Sequence, residues 1–142
     1  MPNATRSPAS LEPATAGELL RQAIDLRAHA RFADAAQVYR KLETLHPGSP
    51  EARAALVSLG DLQLSRLHDA TGALRSFDSY LSSGDRTLEQ EAEYGRIRAL
   101  RALGRSAQER DAIEHLLLGY PSGVHAEPMR ARLQSLKGDA TR

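Results

Sequence analysis

The chain has 142 residues, enough for one domain with a buried core, and it is 41% hydrophobic but only 4% aromatic, which favours helices that pack through Leu and Ala. Its 19 Lys and Arg residues against 18 Asp and Glu residues give a net charge of +1, which argues against a general nucleic-acid binder because such proteins carry a basic excess. The sequence contains no cysteine, which excludes disulfides, thiol catalysis and cysteine-bound zinc.

The first predicted element is an N-terminal arm. Residues 1–15 are rich in Pro, Ser, Thr and Ala without an apolar period, so we predict a flexible arm or linker, either native or added to the chain. The arm lacks the apolar run of a secretory signal, and no stretch of the chain approaches the ~20 apolar residues of a membrane span. We expect no membrane insertion, a cytoplasmic location if Met1 is the native start, and a periplasmic one if the sequence is an excised domain.

A first pair of helices is predicted from residue 16 onward, because apolar residues then recur at helical spacing. The run His46–Pro50 ends the second helix of this pair, since proline cannot continue a helix. Ser49 is a predicted N-cap for the next helix, with Pro50 at its first position.

Two more pairs and a single helix follow. Asp69 is the predicted N-cap for the second helix of the second pair. In the third pair, Ser106 with Glu109 three residues later predicts a capping box. A last helix, from about Val124 to Leu136, has one apolar stripe and is otherwise polar, which is typical of a helix that caps a stack. Residues 138–142 are predicted to form a disordered tail.

The helix pairs repeat with a regular spacing. Ala35 and Ala73 occupy equivalent places 38 residues apart, and Pro47 and Pro121 are 74 residues apart, or 37 per unit. These spacings are close to the ~34-residue helix-turn-helix unit of the tetratricopeptide repeat. Residues 16–137 resemble that family on the large, small and helix-ending residues of the first unit, which are Leu19, Ala23, Leu26, Ala35, Tyr39, Leu42 and Pro47.

The second and third units match this pattern less regularly. Gly60 is the small residue of the second unit at the point where two helices touch. In the third unit, Glu109 replaces the usual small residue, and Ile97 stands where Gly or Ala is expected.

The resemblance implies an all-α, right-handed α-solenoid of about three tetratricopeptide-like pairs plus a C-terminal capping helix. Such a stack has a concave groove lined by the first helix of each pair, and partners bind there. The repeat register predicts a groove that runs from apolar at one end to basic and aromatic at the other. Its predicted partner-binding residues are Leu20, Ile24, Arg27, Val57, Asp61, Leu64, Tyr94, Arg98 and Arg101.

The basic end of this groove suggests a ligand. Tyr94, Arg98 and Arg101 share one helix face, and arginine suits carboxylates while tyrosine is a typical interface anchor, so we predict that they bind an acidic segment of a protein partner. The alternative is a solvated arginine-rich surface. Some tetratricopeptide co-chaperones grip a C-terminal carboxylate with a clamp of Lys, Asn and Arg. That clamp is absent here, because the corresponding positions hold Leu20, Ile24, Val57, Glu91 and Gly95.

No motif indicates catalysis or a cofactor. The five histidines lack the spacing of a helical metal site, and neither a glycine-rich phosphate loop nor a nucleophile elbow is present. On the helices, we predict that the carboxylates form ion pairs with arginines, for example Glu93 with Arg96.

We therefore predict a protein-protein interaction scaffold or adaptor that is not an enzyme. The alternative is a self-associating structural module of a bacterial envelope or signalling complex. The segments Phe77–Leu81 and Tyr120–Gly123 are similar to bacterial envelope-associated tetratricopeptide proteins, including division and outer-membrane assembly factors and segments beside anti-sigma regulators.

Overall fold

A computed structural model describes residues 12–142. This part of the chain forms seven helices and no strand, so the predicted all-α fold is confirmed. The helices are α1 (Ala16–Ala28), α2 (Phe32–Leu45), α3 (Pro50–Ser65), α4 (Ala70–Ser82), α5 (Glu89–Ala102), α6 (Ser106–Gly119) and α7 (Ala126–Ala140).

Side chains cap several helix starts. The Ser49 hydroxyl accepts a hydrogen bond from the Ala52 N–H at 3.0 Å, and the Asp69 carboxylate accepts one from the Gly72 N–H at 2.8 Å, as the sequence predicted. Each cap satisfies a backbone donor that the first helical turn leaves without a partner. The sequence pattern did not predict the capping box at Thr15, whose hydroxyl accepts from the Glu18 N–H at 3.1 Å.

The capping box predicted at Ser106 is wrong. Arg105 occupies the N-cap of α6, Ser106 is the first helical residue, and no side chain caps this helix start. Glu109 cannot fold back to the N-cap because its side chain points inward and is only 1% exposed. Its carboxylate instead accepts hydrogen bonds from Arg132 of α7.

The turn inside each helix pair contains one residue with a left-handed φ. Ala30, His68 and Gly104 follow α1, α3 and α5, and they have left-handed φ values of 58°, 54° and 69°. Only glycine adopts this conformation without a steric cost, so the turns after α1 and α3 carry a strain that the third turn avoids.

The core consists of three clusters along the chain. Leu and Ala make up most of the buried residues, as the composition predicted. The first cluster joins α1, α2 and α3, the second joins α4 and α5 with part of α3, and the third joins α5, α6 and α7. The largest side chains fully buried in the first two clusters are Tyr39, Phe77 and Tyr80.

The Phe77 ring of α4 packs against glycines of both neighbouring helices. A Cβ atom added to Gly60 of α3 would lie 2.8 Å from a ring atom of Phe77, and one added to Gly95 of α5 would lie closer still. The predicted close approach at Gly60 is therefore confirmed. In α5 the small residue is Gly95, while Ile97 is buried in the third cluster.

Both ends of the predicted repeat region are longer than expected. Ala14, expected in the flexible arm, packs against the first cluster, and its carbonyl oxygen lies 2.8 Å from His46 Nε2. Residues 1–11 of the predicted arm lie outside the described residues. At the other end, Gly138, Asp139 and Ala140 continue α7 instead of forming a tail, and the hydroxyl of the C-cap residue Thr141 donates to the Gly138 carbonyl.

Helix contacts follow the order of the chain. Within residues 12–142, each helix contacts the next one, and the further contacts are those of α1 with α3 and of α3 with α5. The odd-numbered helices α1, α3 and α5 therefore lie side by side. In the same part of the chain, no helix is both long and apolar enough to span a membrane.

Candidate functional site

A row of three charged residues crosses the side-by-side helices α1, α3 and α5. The Arg27 guanidinium donates to Asp61 Oδ2 at 2.8 Å, and Arg98 donates to Asp61 Oδ1 at 3.3 Å. The partners are 34 and 37 residues apart in sequence, close to the repeat spacing predicted from the sequence. One carboxylate from the middle helix is therefore shared by arginines from the two outer helices.

Aromatic rings adjoin this row. Tyr94 of α5 stacks on His125, with ring centroids 3.6 Å apart and the planes only 5° from parallel. The Arg98 guanidinium carbon lies 5.8 Å from the centre of the Tyr94 ring, within the range of a cation–π interaction. His125 is the N-cap residue of α7, so the turn before the last helix contributes to this site.

These residues line an open cleft of about 310 Å³. Side chains from α1, α3, α4 and α5 and from the start of α7 meet there. The lining consists of Arg27, Val57, Ser58, Asp61, Phe77, Glu91, Tyr94, Gly95, Arg98 and His125. We refer to these ten residues as the repeat-face cleft.

Five of the nine predicted groove residues line the repeat-face cleft: Arg27, Val57, Asp61, Tyr94 and Arg98. The other four lie outside it. Leu20 packs against the first core cluster and Leu64 against the second, so the main contribution of both side chains is to the core. Ile24 and Arg101 are exposed on α1 and α5 beyond the cleft.

The sequence pattern missed the other five lining residues. Glu91 and Gly95 were noted only as positions where a carboxylate clamp is absent, and Ser58 lies beside Val57 on α3. Phe77 is 1% exposed and belongs to the core, while its ring also borders the cleft. No sequence pattern indicated His125 as a lining residue, because it lies in a turn whose position depends on how α7 packs.

The repeat-face cleft has mixed charge. Its lining holds two arginines, Arg27 and Arg98, and two carboxylates, Asp61 and Glu91. Each member of the Arg27–Asp61–Arg98 row has a side chain 38% exposed. Ion pairs with this exposure are partly screened by water and salt. The two ion pairs of the row can therefore break at a low cost in free energy, and the charged groups can then pair with other partners.

A larger, acidic cleft of about 830 Å³ lies between α4, α5 and α6. The Glu93–Arg96 ion pair predicted from the sequence does not form: Arg96 donates to Asp78 at 2.6 Å, and Glu93 Oε1 lies 3.2 Å from His115 Nε2. The other carboxylate oxygen of Glu93 is buried without a hydrogen-bond partner. Burial raises the pKa of Glu93, and the nearby His115 partly opposes that shift.

The described residues show no metal centre. Within residues 12–142, no three His, Cys, Asp or Glu side chains come close enough together to hold a metal ion. The histidines instead lie in separate surroundings, with His46 near the Ala14 carbonyl, His115 beside Glu93 and His125 on Tyr94.

Comparison with known proteins gives no family assignment. No protein-family model matches the chain, and no curated protein matches it. The resemblance to tetratricopeptide repeats therefore remains a prediction, which rests on the residues of the sequence alone.

Proposed function

We propose that the chain is a protein-protein interaction module that binds a segment of a partner protein in the repeat-face cleft. In this proposal, α1–α6 are three tetratricopeptide-like pairs wound into a right-handed solenoid, and α7 caps the stack. The first helix of each pair, α1, α3 or α5, supplies the binding face.

Three features of the helices support the solenoid. Each helix contacts its neighbours in the chain, as expected when successive pairs stack. The left-handed turn residues Ala30, His68 and Gly104 recur at the same place in each pair. The Arg27–Asp61–Arg98 row joins equivalent helices at intervals of 34 and 37 residues.

The observation that carries the function is the convergence of binding-type side chains in one cleft. Arginine and tyrosine are enriched among the residues that contribute most to protein interfaces. Arg27 of α1 meets Tyr94 and Arg98 of α5 there, and none of the three is fully buried in the core. A partner segment lying across α1, α3 and α5 would contact all three.

The test is affinity capture from the lysate of the native organism. The double variant Tyr94→Ala/Arg98→Gln removes the anchor and one guanidinium, so it should lose a protein that the wild-type chain retains. The matched control is Arg75→Gln/Ser79→Ala, which changes two exposed residues of α4 beside a different cleft. Equal retention by the wild type and the Tyr94/Arg98 variant would refute the proposed face, provided that circular dichroism shows both to be folded.

Self-association is the second candidate, and two exposed apolar residues favour it. Leu118 near the end of α6 and Val124 just before α7 are 84% and 82% exposed. Exposed apolar side chains form contact surfaces where they are grouped in a contiguous patch. Sedimentation velocity tests this directly: the wild type should form dimers that Leu118→Ser/Val124→Ser abolishes, and a monomeric wild type would exclude the idea.

A further inference from the structure

We propose that Asp61 is a built-in competitor for the ligand of the repeat-face cleft, and that this ligand is an acidic segment of a partner protein whose carboxylate replaces Asp61 on Arg27 and Arg98. The proposal rests on the proposed function and adds to it the chemistry of the partner and a means of setting its affinity.

The geometry around Asp61 leaves most arginine donors free for a ligand. A guanidinium carries five N–H donors, and Arg27 and Arg98 each make one hydrogen bond to Asp61. The Arg98 contact, at 3.3 Å, is longer than a typical charge-assisted hydrogen bond. A carboxylate arriving from solution can bind either guanidinium through two N–H groups, which Asp61 does not do.

Exposure makes the exchange possible. All three side chains of the row are 38% exposed, so Asp61 is not a buried counterion whose removal would leave two desolvated charges. Exposed ion pairs contribute little to folding, and their partners exchange readily with water and solutes. The Asp61–arginine pairs are therefore weak enough for a ligand to displace.

The surroundings of the row favour an acidic peptide. Tyr94 stands beside Arg98, and its ring, which is stacked on His125, adds an aromatic surface that a neighbouring side chain of the ligand can contact. Arg101 is exposed one helical turn beyond Arg98 and extends the positive charge along α5. Glu91 lies one turn before Tyr94, towards the other end of α5, where it would repel a carboxylate and so orient an acidic segment towards the arginines.

The experiment measures binding of a defined probe to the full chain. The probe is a short fluorescent peptide of alternating Glu and Ser, titrated at low salt and followed by fluorescence anisotropy. The same peptide with Gln in place of Glu is the control. The protein variants are Asp61→Asn, which removes the competing charge while keeping the shape, and Arg27→Gln/Arg98→Gln, which removes the receptor.

We expect Asp61→Asn to bind the Glu peptide about threefold to tenfold more tightly than the wild type, since one or two weak competing ion pairs are lost. The Gln peptide should not respond to this change, and the double arginine variant should bind the Glu peptide at least about tenfold more weakly. Asp61→Asn binding that equals or falls below that of the wild type would overturn the proposal. If Asp61→Asn is poorly folded, the affinity of Asp61→Ser for the Glu peptide tests the same prediction.

The two proposals fail in different ways. If the captured partner is lost from Tyr94→Ala/Arg98→Gln but Asp61→Asn does not tighten the Glu peptide, the cleft binds a partner and only the competitor role of Asp61 is refuted. If an oligonucleotide responds to Asp61→Asn and the Glu peptide does not, the ligand is a nucleic acid and the acidic-peptide proposal is overturned. If the partner is retained by all cleft variants, the proposed function itself fails.

Discussion

Arg132 of α7 donates two hydrogen bonds to the carboxylate of Glu109 of α6, at 2.7 and 3.0 Å. The glutamate is 1% exposed, and it stands where the predicted repeat pattern expects a small residue. This bidentate pair joins α6 to the last helix, whose preceding residue, His125, lines the repeat-face cleft. The pair is therefore a structural support of the cleft.

Removing the arginine should destabilise the protein strongly. Arg132→Ala leaves the Glu109 carboxylate buried without a partner, and losing one member of a buried pair costs about 3 kcal/mol or more. We expect a loss of about this size in the free energy of unfolding, measured by urea denaturation. Adding Glu109→Ala should recover part of it, because no buried charge then remains. If Arg132→Ala alone is as stable as the wild type, the pair does not stabilise the contact of α6 with α7.

A methyl group at Gly95 should also destabilise the fold. Its Cβ would overlap the Phe77 ring, which is held between α3 and α5, and overpacking of this kind costs about 1–3 kcal/mol. The matched control is Gly17→Ala at the start of α1, where nothing lies within 4 Å of the new atom. That variant should gain about 0.5 kcal/mol from helix propensity. Thermal unfolding checks this: the melting temperature should fall for Gly95→Ala and rise for Gly17→Ala. Equal melting temperatures for the two variants would contradict the close packing at Phe77.

Asp85 should make the stability depend on acid pH. Its carboxylate accepts hydrogen bonds from the Thr87 N–H at 2.8 Å, from Arg53 at 2.8 Å and from the Tyr80 hydroxyl at 3.2 Å. These bonds, above all the one from Thr87, hold the pKa of Asp85 well below its usual range. A depressed carboxyl pKa stabilises the folded state above the unfolded-state pKa of about 3.8. This contribution is lost as the pH falls below that value towards the folded-state pKa.

The measurement is urea denaturation at several pH values for the wild type and Asp85→Asn. The variant should be less stable at neutral pH, and its stability should fall less steeply between about pH 4 and pH 2, because it has no carboxyl to protonate. Parallel stability curves for the two proteins would show that Asp85 does not contribute through its charge.

The sequence predicted the helices better than the contacts between them. Helix type and several caps follow from local signals, such as Ser49 before Pro50 and Asp69 before Gly72, because each cap involves residues only three apart. The capping box at Ser106 had the same local signal and was wrong, since a long-range partner, Arg132, takes the Glu109 carboxylate.

Part of the candidate site could likewise be predicted from the repeat register. That register brings equivalent residues of α1, α3 and α5 side by side, which is why Arg27, Asp61 and Arg98 were all assigned to the groove. Their sharing of one carboxylate depends on side-chain reach, which spacing does not give. His125 depends on the packing of α7, and no local pattern encodes that.

The central claim, that a partner binds on the face of α1, α3 and α5, is tested most directly by site-specific photo-crosslinking. A photoreactive phenylalanine analogue replaces Tyr94 in one protein and the exposed Ser79 of α4 in another, and both are irradiated with the partner that the wild-type chain captures. We predict a crosslink from position 94 and none from position 79. A crosslink from position 79 alone would contradict the claim and move the binding surface to the α4 side of the molecule.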